Sequence, residues 1–256
     1  KMGRQGIQFF EAELQRKVER RNYIVQALRE TNYNEAFEVV YQPKFSIADE
    51  KMIGMEALLR WTCQGEKIPP DVFIPIAEEA GIIGTIGEWV LLESCHQFKT
   101  WLKDNPACED MRIAVNVSPQ QLRSGDFHLV IDRILNAAGL KPGYLEIEIT
   151  ETAVMEEPES AADELIRIRN LGVKISIDDF GTGYSSLNYL KRLPIDVLKI
   201  DKSFISDIGN NENDEAIVKS VIAISHSLDI DVIAEGVENL DHVQFLRENQ
   251  CDQVQG

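Results

Sequence analysis

Hydrophobic and polar residues alternate along this chain with two different periods. Segments rich in aliphatic and β-branched residues show the two-residue period of a β-strand, and the longer segments between them show the period of an amphipathic helix. Strands are predicted over 37–47, 52–61, 112–118, 144–150, 174–178, 196–201 and 231–235, and from Asp252 onward. Helices are predicted over 9–31, 71–80, 84–104, 126–138, 158–171, 185–192, 213–228 and 239–248. Strands and helices that alternate with short loops indicate parallel strands with helices packed outside them.

The first two strands are the exception to this parallel arrangement. Only residues 48–51 separate them, whereas a parallel crossover needs about a dozen residues or more. They are therefore predicted to pair antiparallel. Eight strands in this order favour a TIM-like (β/α)8 barrel with an antiparallel first strand, and a doubly wound open sheet is the alternative. The barrel domain is predicted over 37–256, and 1–36 are predicted to be a linker and helix.

One face of several predicted strands is polar, although strands buried on both faces are usually apolar throughout. In the strand 144–150, Glu146, Glu148 and Thr150 share one face, and the aliphatic residues share the other. The aliphatic face is expected to meet the helices, so the polar face should point into the barrel. Most of these polar residues lie toward the C-terminal ends of their strands, where barrel enzymes place their sites. The set is Glu56, Asn116, Glu148, Asp178, Asp179, Lys199, Asp201 and Glu235.

The charges in this set point to bound cations. Six carboxylates against one lysine are not balanced by side chains, so either some carboxyls are protonated or cations are bound. Oxygen ligands suit Mg²⁺ or Mn²⁺ rather than Zn²⁺. The adjacent Asp178 and Asp179 suggest a pair of metals, an arrangement that serves phosphoryl transfer and hydrolysis. For any single acid, a solvated strand end or a buried salt bridge explains the residue equally well.

Composition limits the partners and the compartment. The 256 residues carry a formal net charge of −17, which disfavours binding to polymeric DNA or RNA. The four cysteines form no CxxC pair, so free thiols in a reducing compartment are expected. No apolar run reaches the roughly 18 residues of a membrane span. The predicted location is cytoplasmic, whether or not the parent protein is anchored to a membrane.

Several ordered motifs resemble the signatures of EAL-domain phosphodiesterases, and the resemblance covers 37–256. The motifs are YQP at 41–43, GMEALLRW at 54–61, NVSPQQL at 116–122, EIEITET at 146–152, DDFGTGYSSL at 178–187, LKID at 198–201, AEGVE at 234–238 and CDQVQG at 251–256. The resemblance implies hydrolysis of cyclic di-GMP to linear pGpG with two Mg²⁺ or Mn²⁺ ions per site. It also implies a barrel with one antiparallel strand, which agrees with the loop-length reasoning.

The resemblance assigns roles to individual residues. The implied ligands of one metal are Glu56, Asn116, Glu148 and Asp178. The implied ligands of the second metal are Asp178, Asp179 and Glu235. The implied catalytic residues are Lys199, Glu235 as a candidate general base, and Glu56 through its metal. The implied substrate-facing residues are Gln42, Arg60, Asp201, Glu238 and Gln255. Glu151 resembles a glutamate that steadies the loop 179–186, which is expected to control the site.

The two ends of the chain depart from a complete EAL domain. The first residues, KMGRQGIQFF, resemble the end of a GGDEF domain, so an upstream GGDEF or sensory domain is expected. At the other end the family continues past Gly256, so the barrel domain is expected to be truncated there. Family members often pair, which allows a homodimer. Two other functions stay open: a catalytically silent receptor for cyclic di-GMP, and an unrelated metal-dependent barrel enzyme.

Overall fold

The computed structural model of the chain describes residues 3–181 and 187–256. Within them lie nine β-strands: β1 (Phe37–Ser46), β2 (Met52–Cys63), β3 (Glu66–Ile68), β4 (Arg112–Asn116), β5 (Leu145–Thr150), β6 (Lys174–Phe180), β7 (Val197–Ile200), β8 (Asp231–Glu235) and β9 (Gln253–Gln255). The helices are α1 (Gly3–Glu30), α2 (Tyr33–Ala36), α3 (Pro70–Glu79), α4 (Ile83–Asp104), α5 (Pro119–Arg123), α6 (Phe127–Ala138), α7 (Glu151–Glu156), α8 (Pro158–Asn170), α9 (Leu187–Leu190), α10 (Lys202–Ile205), α11 (Glu212–Ser227) and α12 (Leu240–Glu248). Short 3-10 helices span Pro106–Asp110 and Pro142–Tyr144.

Eight of these strands close into a barrel. The strand order is β1-β9-β8-β7-β6-β5-β4-β2, and β1 also pairs with β2, which closes the ring. The strands β2 and β4 to β9 run parallel in sequence order, whereas β1 is antiparallel to β9 and therefore also to β2. The predicted barrel with an antiparallel first strand is confirmed, and the open-sheet alternative is wrong. The short β3 was not predicted, and it forms a hairpin with the end of β2.

Contacts along the chain divide it into two compact units. One unit combines Lys1–Glu38 with Leu59–Ile86, and the other combines Val39–Leu58 with Gly87–Gly256. The first unit has an aromatic centre in which the rings of Trp61 and Phe73 meet edge to face at 5.4 Å. The division into a linker and helix over 1–36 and a barrel domain over 37–256 stays a prediction.

The second unit contains most of the barrel and shows the two-faced strands that the alternation predicts. In β5 the aliphatic Leu145, Ile147 and Ile149 are at most 1% exposed. Glu146 and Glu148 are also buried, and because neighbouring residues of a strand point to opposite faces, they lie on its other side. The barrel therefore has an apolar outer layer and a charged interior.

Local signals end the elements close to the predicted positions. The strand β4 stops at Asn116 rather than at the predicted Ser118, because Ser118 caps α5 and exchanges hydrogen bonds with Gln121. The helix α6 ends at Gly139, whose φ of 63° lies in the left-handed region that glycine tolerates. The predicted helix 185–192 falls partly outside the described residues, and its remainder contains α9. Among the helices described, none has the length and apolar composition of a membrane span.

Candidate active site

A β-bulge in β6 brings the two adjacent acids to one site. The pairing of β6 with β7 is regular up to Ile177 and resumes at Phe180, so Asp178 and Asp179 together lie opposite Lys199. In a regular strand, neighbouring side chains point to opposite faces. Here Asp179 has a φ of 56°, and its backbone N–H donates to Asp178 Oδ1 at 2.8 Å. The extra residue changes the direction of the strand, so both carboxylates can face the same space.

The side chain of Lys199 lies at the centre of the charged interior. Its Nζ is 2.7 Å from an oxygen of Glu235, 2.8 Å from Glu148, 3.1 Å from Asp178 and 3.4 Å from Glu56. The lysine itself is fully buried. One ammonium group therefore joins four carboxylates that come from four different strands.

Together with Asp179, these four carboxylates form two groups whose geometry suits oxygen-bound metal ions. One group is Glu56, Glu148 and Asp178, and the other is Asp178, Asp179 and Glu235. In each group, one oxygen from every residue lies within 4.8 Å of the others. The groups share Asp178, as expected for a carboxylate between two ions. An all-oxygen donor set fits hard divalent cations such as Mg²⁺ and Mn²⁺.

Two amide side chains hold Glu56 in place. Asn116 donates from Nδ2 to Glu56 Oε1 at 2.6 Å, and Gln255 donates from Nε2 to Glu56 Oε2 at 2.7 Å. Asn116 ends β4 directly beside Glu148 of β5, and Gln255 of β9 pairs with Glu235 of β8. Both predicted residues therefore lie at the same mouth of the barrel as the carboxylates.

The barrel interior contains a second lysine, which the predicted balance of six carboxylates against one lysine did not include. Lys44 of β1 is 4% exposed, and its Nζ lies 2.6 Å from Glu148 Oε1 and 2.8 Å from Glu146 Oε1. The expectation of a single lysine against the carboxylates is wrong. Glu148 thus contacts two ammonium groups, Lys44 through Oε1 and Lys199 through Oε2.

The environment separates the pKa values of Glu148 and Glu235, two of the three glutamates that contact Lys199. Burial raises the pKa of Glu235 to about 7, because the attraction of Lys199 does not compensate for burial and the nearby charge of Asp178. Burial also disfavours the charged form of Glu148, but Lys199 and Lys44 outweigh it and lower the pKa to about 2. Glu148 is therefore ionised at neutral pH, whereas Glu235 is close to its midpoint.

The other acids of the site are shifted in the direction of Glu235. Burial, together with the charge of Glu148, raises the pKa of both Glu56 and Asp178. Burial and the charge of Asp201 raise the pKa of Asp179. Burial disfavours the ammonium form of Lys199, but the surrounding carboxylates raise its pKa well above the ordinary value. Lys199 therefore stays charged, whereas the raised pKa values of these acids show that their charged forms are disfavoured in the metal-free site.

The predicted substrate-facing residues lie in different surroundings. Gln42 is half-buried on β1, two residues before Lys44. Asp201 caps α10 by accepting a hydrogen bond from the Ser203 N–H at 3.0 Å. Glu238 is exposed in the segment after β8. Arg60 belongs to the first compact unit, where it is exposed and donates to a neighbouring backbone carbonyl.

The predicted loop-steadying contact involves Glu151, the first residue of α7. Its side chain is buried, and Oε2 accepts a hydrogen bond from the Gly181 N–H at 2.9 Å. Gly181 has a φ of 98°, in the region that favours glycine. The contact fixes the chain two residues beyond Asp179. The rest of the predicted control loop, 182–186, lies outside the described residues.

Comparison with known proteins identifies the family. The model of the EAL domain family matches residues 25–256. The bifunctional diguanylate cyclase/cyclic di-GMP phosphodiesterase MucR of Pseudomonas aeruginosa is 40% identical over 99% of this chain and 37% of its own length. The cyclic di-GMP phosphodiesterase NbdA of the same organism is 40% identical over 99% of this chain and 32% of its own. This chain thus spans about a third of these curated relatives.

A solved structure shows the same fold. The PaMucR phosphodiesterase in a c-di-GMP complex superposes with a TM-score of 0.86 and 40% sequence identity. The match covers 91% of this chain and 94% of that one.

Proposed function

The chain belongs to the EAL domain family, and from this we propose that it is a phosphodiesterase that hydrolyses cyclic di-GMP to linear pGpG with two divalent metal ions. The proposal rests on one observation. Two clusters of three acidic residues, which have Asp178 in common, lie beside the buried Lys199. Two relatives at 40% identity are named as cyclic di-GMP phosphodiesterases. A solved relative is a c-di-GMP complex. The other metal-dependent barrel chemistries lack this support.

The residues present fit two Mg²⁺ or Mn²⁺ ions. The proposed ligands of the first ion are Glu56, Asn116, Glu148 and Asp178, and those of the second are Asp178, Asp179 and Glu235. Together they supply carboxylate and amide oxygens, the donors that these cations prefer. Two bound ions would activate a water molecule and stabilise negative charge on the phosphate.

The side chains of this chain supply charge and a proton acceptor. Lys199 is a permanent cation in a buried site, where it can bind a phosphate oxygen or hold the attacking water. In the metal-free chain Glu235 has a pKa of about 7, which suits a general base at neutral pH. Its proposed roles are therefore base, ligand of the second ion, or both. Glu56 would contribute by holding the first ion.

Substrate recognition is proposed for Gln42, Arg60, Asp201, Glu238 and Gln255. The substrate is a small anionic dinucleotide, and the net charge of −17 disfavours polymeric nucleic acid. Glu151 is proposed to steady the loop 179–186 through Gly181. A cytoplasmic location, a homodimer and an upstream GGDEF domain are also proposed. The last is supported by the cyclase activity in the name of MucR.

Incubation of the purified protein with cyclic di-GMP and Mn²⁺ tests the proposal, with products resolved by ion-pair chromatography. We expect pGpG to appear with Mn²⁺ and not with EDTA. Glu56→Gln should lose the activity, while Glu159→Gln, at an exposed position on α8, should keep it. A folded protein that makes no pGpG above the EDTA sample would refute hydrolysis. Tight binding of cyclic di-GMP in Ca²⁺ without turnover in Mn²⁺ would establish the silent receptor instead.

A further inference from the structure

The second buried lysine, Lys44, has no role in the proposed chemistry, yet it contacts the most deeply buried ligand candidate. Its Nζ binds Glu148 Oε1 at 2.6 Å and Glu146 Oε1 at 2.8 Å. Glu146 and Glu148 are two residues apart on one face of β5, so a single ammonium group clamps that face. Both lysine contacts are with buried carboxylates.

The two oxygens of Glu148 have different partners. Oε2 contacts Lys199, whose ammonium group is shared with three other ligand candidates. Oε1 contacts Lys44, for which the described contacts reach no other candidate ligand. Lys44 therefore fixes the orientation of the Glu148 carboxylate from the side away from the shared centre. The ammonium group of Lys199, by contrast, is shared among four carboxylates.

The direction of β1 explains how a lysine reaches this position. β1 runs antiparallel to its neighbours, so its C-terminal half lies toward the mouth opposite the site. Lys44 and Glu146 line a cavity of about 170 Å³ there, with the strand-initial residues Arg112, Lys174 and Asp231. Lys44 thus lines this cavity and also contacts Glu148 Oε1.

We propose that Lys44 is a positioning residue that holds Glu148 in the orientation required to bind the first metal ion. The inference rests on the proposed two-metal function, and it concerns one ion selectively. Glu148 belongs to the group with Glu56 and Asp178, and it is absent from the group with Asp179 and Glu235. Loss of Lys44 should therefore weaken binding of one ion and leave the other unchanged.

The test must separate positioning from simple charge balance, since removal of Lys44 alone leaves Glu146 without its described partner and Glu148 with Lys199 alone, and can unfold the protein. We therefore compare Glu146→Gln with the double variant Lys44→Gln/Glu146→Gln. The single variant keeps the contact between Lys44 and Glu148, whereas the double variant removes it together with one opposite charge. Circular dichroism and thermal melting in EDTA confirm that both are folded, and titration calorimetry measures the two Mn²⁺ affinities.

We expect Glu146→Gln to keep both Mn²⁺ affinities within a few-fold of the wild type. In the double variant, one affinity should fall about 10- to 100-fold, the usual effect of an outer-shell partner, while the other is unchanged. Equal affinities in the two variants, or an equal fall at both sites, would overturn the inference even if the wild type makes pGpG. If the wild type binds no Mn²⁺, the proposed function fails, and the role of Lys44 fails with it.

Discussion

The metal-free protein should lose stability as the pH rises from 5 to 8, and Glu235 should be the main cause. Its carboxyl has a pKa of about 7 in the folded chain against an ordinary 4.5. Between these values the folded state holds a proton that the unfolded state has released. A group of this kind stabilises the fold fully below pH 4.5, and its contribution is lost as the pH rises through 7.

The size of the effect follows from the same two pKa values. One pKa unit corresponds to about 1.4 kcal/mol, so ionisation of Glu235 removes up to about 3 kcal/mol of the free energy of unfolding. The side chain is 19% exposed, so solvent screens this charge only partly. The raised pKa values of Glu56 and Asp178 act in the same direction. Glu148, with a pKa of about 2, stabilises the fold above pH 4.5, and its contribution is lost only in more acidic solution.

Urea unfolding in EDTA, followed by circular dichroism from pH 5 to 8, measures this loss directly. Glu235→Gln carries no titrating group at this position, so its stability should fall by about 3 kcal/mol less over the range than that of the wild type. Mn²⁺ should stabilise the wild type increasingly as the pH rises, because binding requires ionised carboxylates. If the wild type and Glu235→Gln show the same pH dependence in EDTA, the reasoning from buried charge is refuted.

Three further predictions concern other parts of the structure. Glu56→Gln should keep its fold but lose Mn²⁺ affinity and turnover by more than about a hundredfold, a larger loss than that caused by removing a residue that only hydrogen-bonds a ligand. Unchanged Mn²⁺ affinity by calorimetry would remove Glu56 from the ligand set. Gly54→Ala should lower the free energy of unfolding by about 1–3 kcal/mol, because the added Cβ would lie 2.7 Å from a backbone oxygen of β4. Gly84→Ala, where the Cβ meets nothing within 4 Å, is its control, and equal effects would contradict the packing argument. Burial raises the pKa of Cys95 and Cys251 to about 12, so at least two of the four free thiols should react with Ellman's reagent at pH 8 only after urea unfolds the chain; rapid reaction of all four in the native state would show that Cys95 and Cys251 are accessible.

Much of the barrel could be predicted from the chain because its signals are local. Alternating residues in the strands, short loops and capping residues each act over a few positions, and the four residues between the first two predicted strands suffice to require an antiparallel pair. The polar faces also predicted which side chains would meet, since the C-terminal ends of parallel strands converge at one mouth. Glu148 and Glu235 reach the common Lys199 in this way.

Two features of the site depend on contacts between strands, which the alternation of polar and apolar residues within one strand does not predict. The bulge at Asp178 and Asp179 is defined by the register of β6 against β7, which is a relation between strands rather than a property of either one. The proposed role of Lys44 depends on the antiparallel direction of β1, which brings the Lys44 ammonium group to Glu148 Oε1. A signal for Lys44 was available, because Gln42 and Lys44 share one face of a strand. Its charge partners lie more than 100 residues away.

The closure of the barrel by β1 and β9 has a consequence for the order of folding. Phe45 pairs with Val254, and Gln255 donates to Glu56 across 199 positions of the chain. Contacts of such long range form late, because the entropy of closing a long loop must be overcome first. The centre at Glu56 is therefore completed by a residue that the ribosome adds after every other described strand has been made. A nascent chain that stops before Gln255 would have most of the acidic side chains and no finished site.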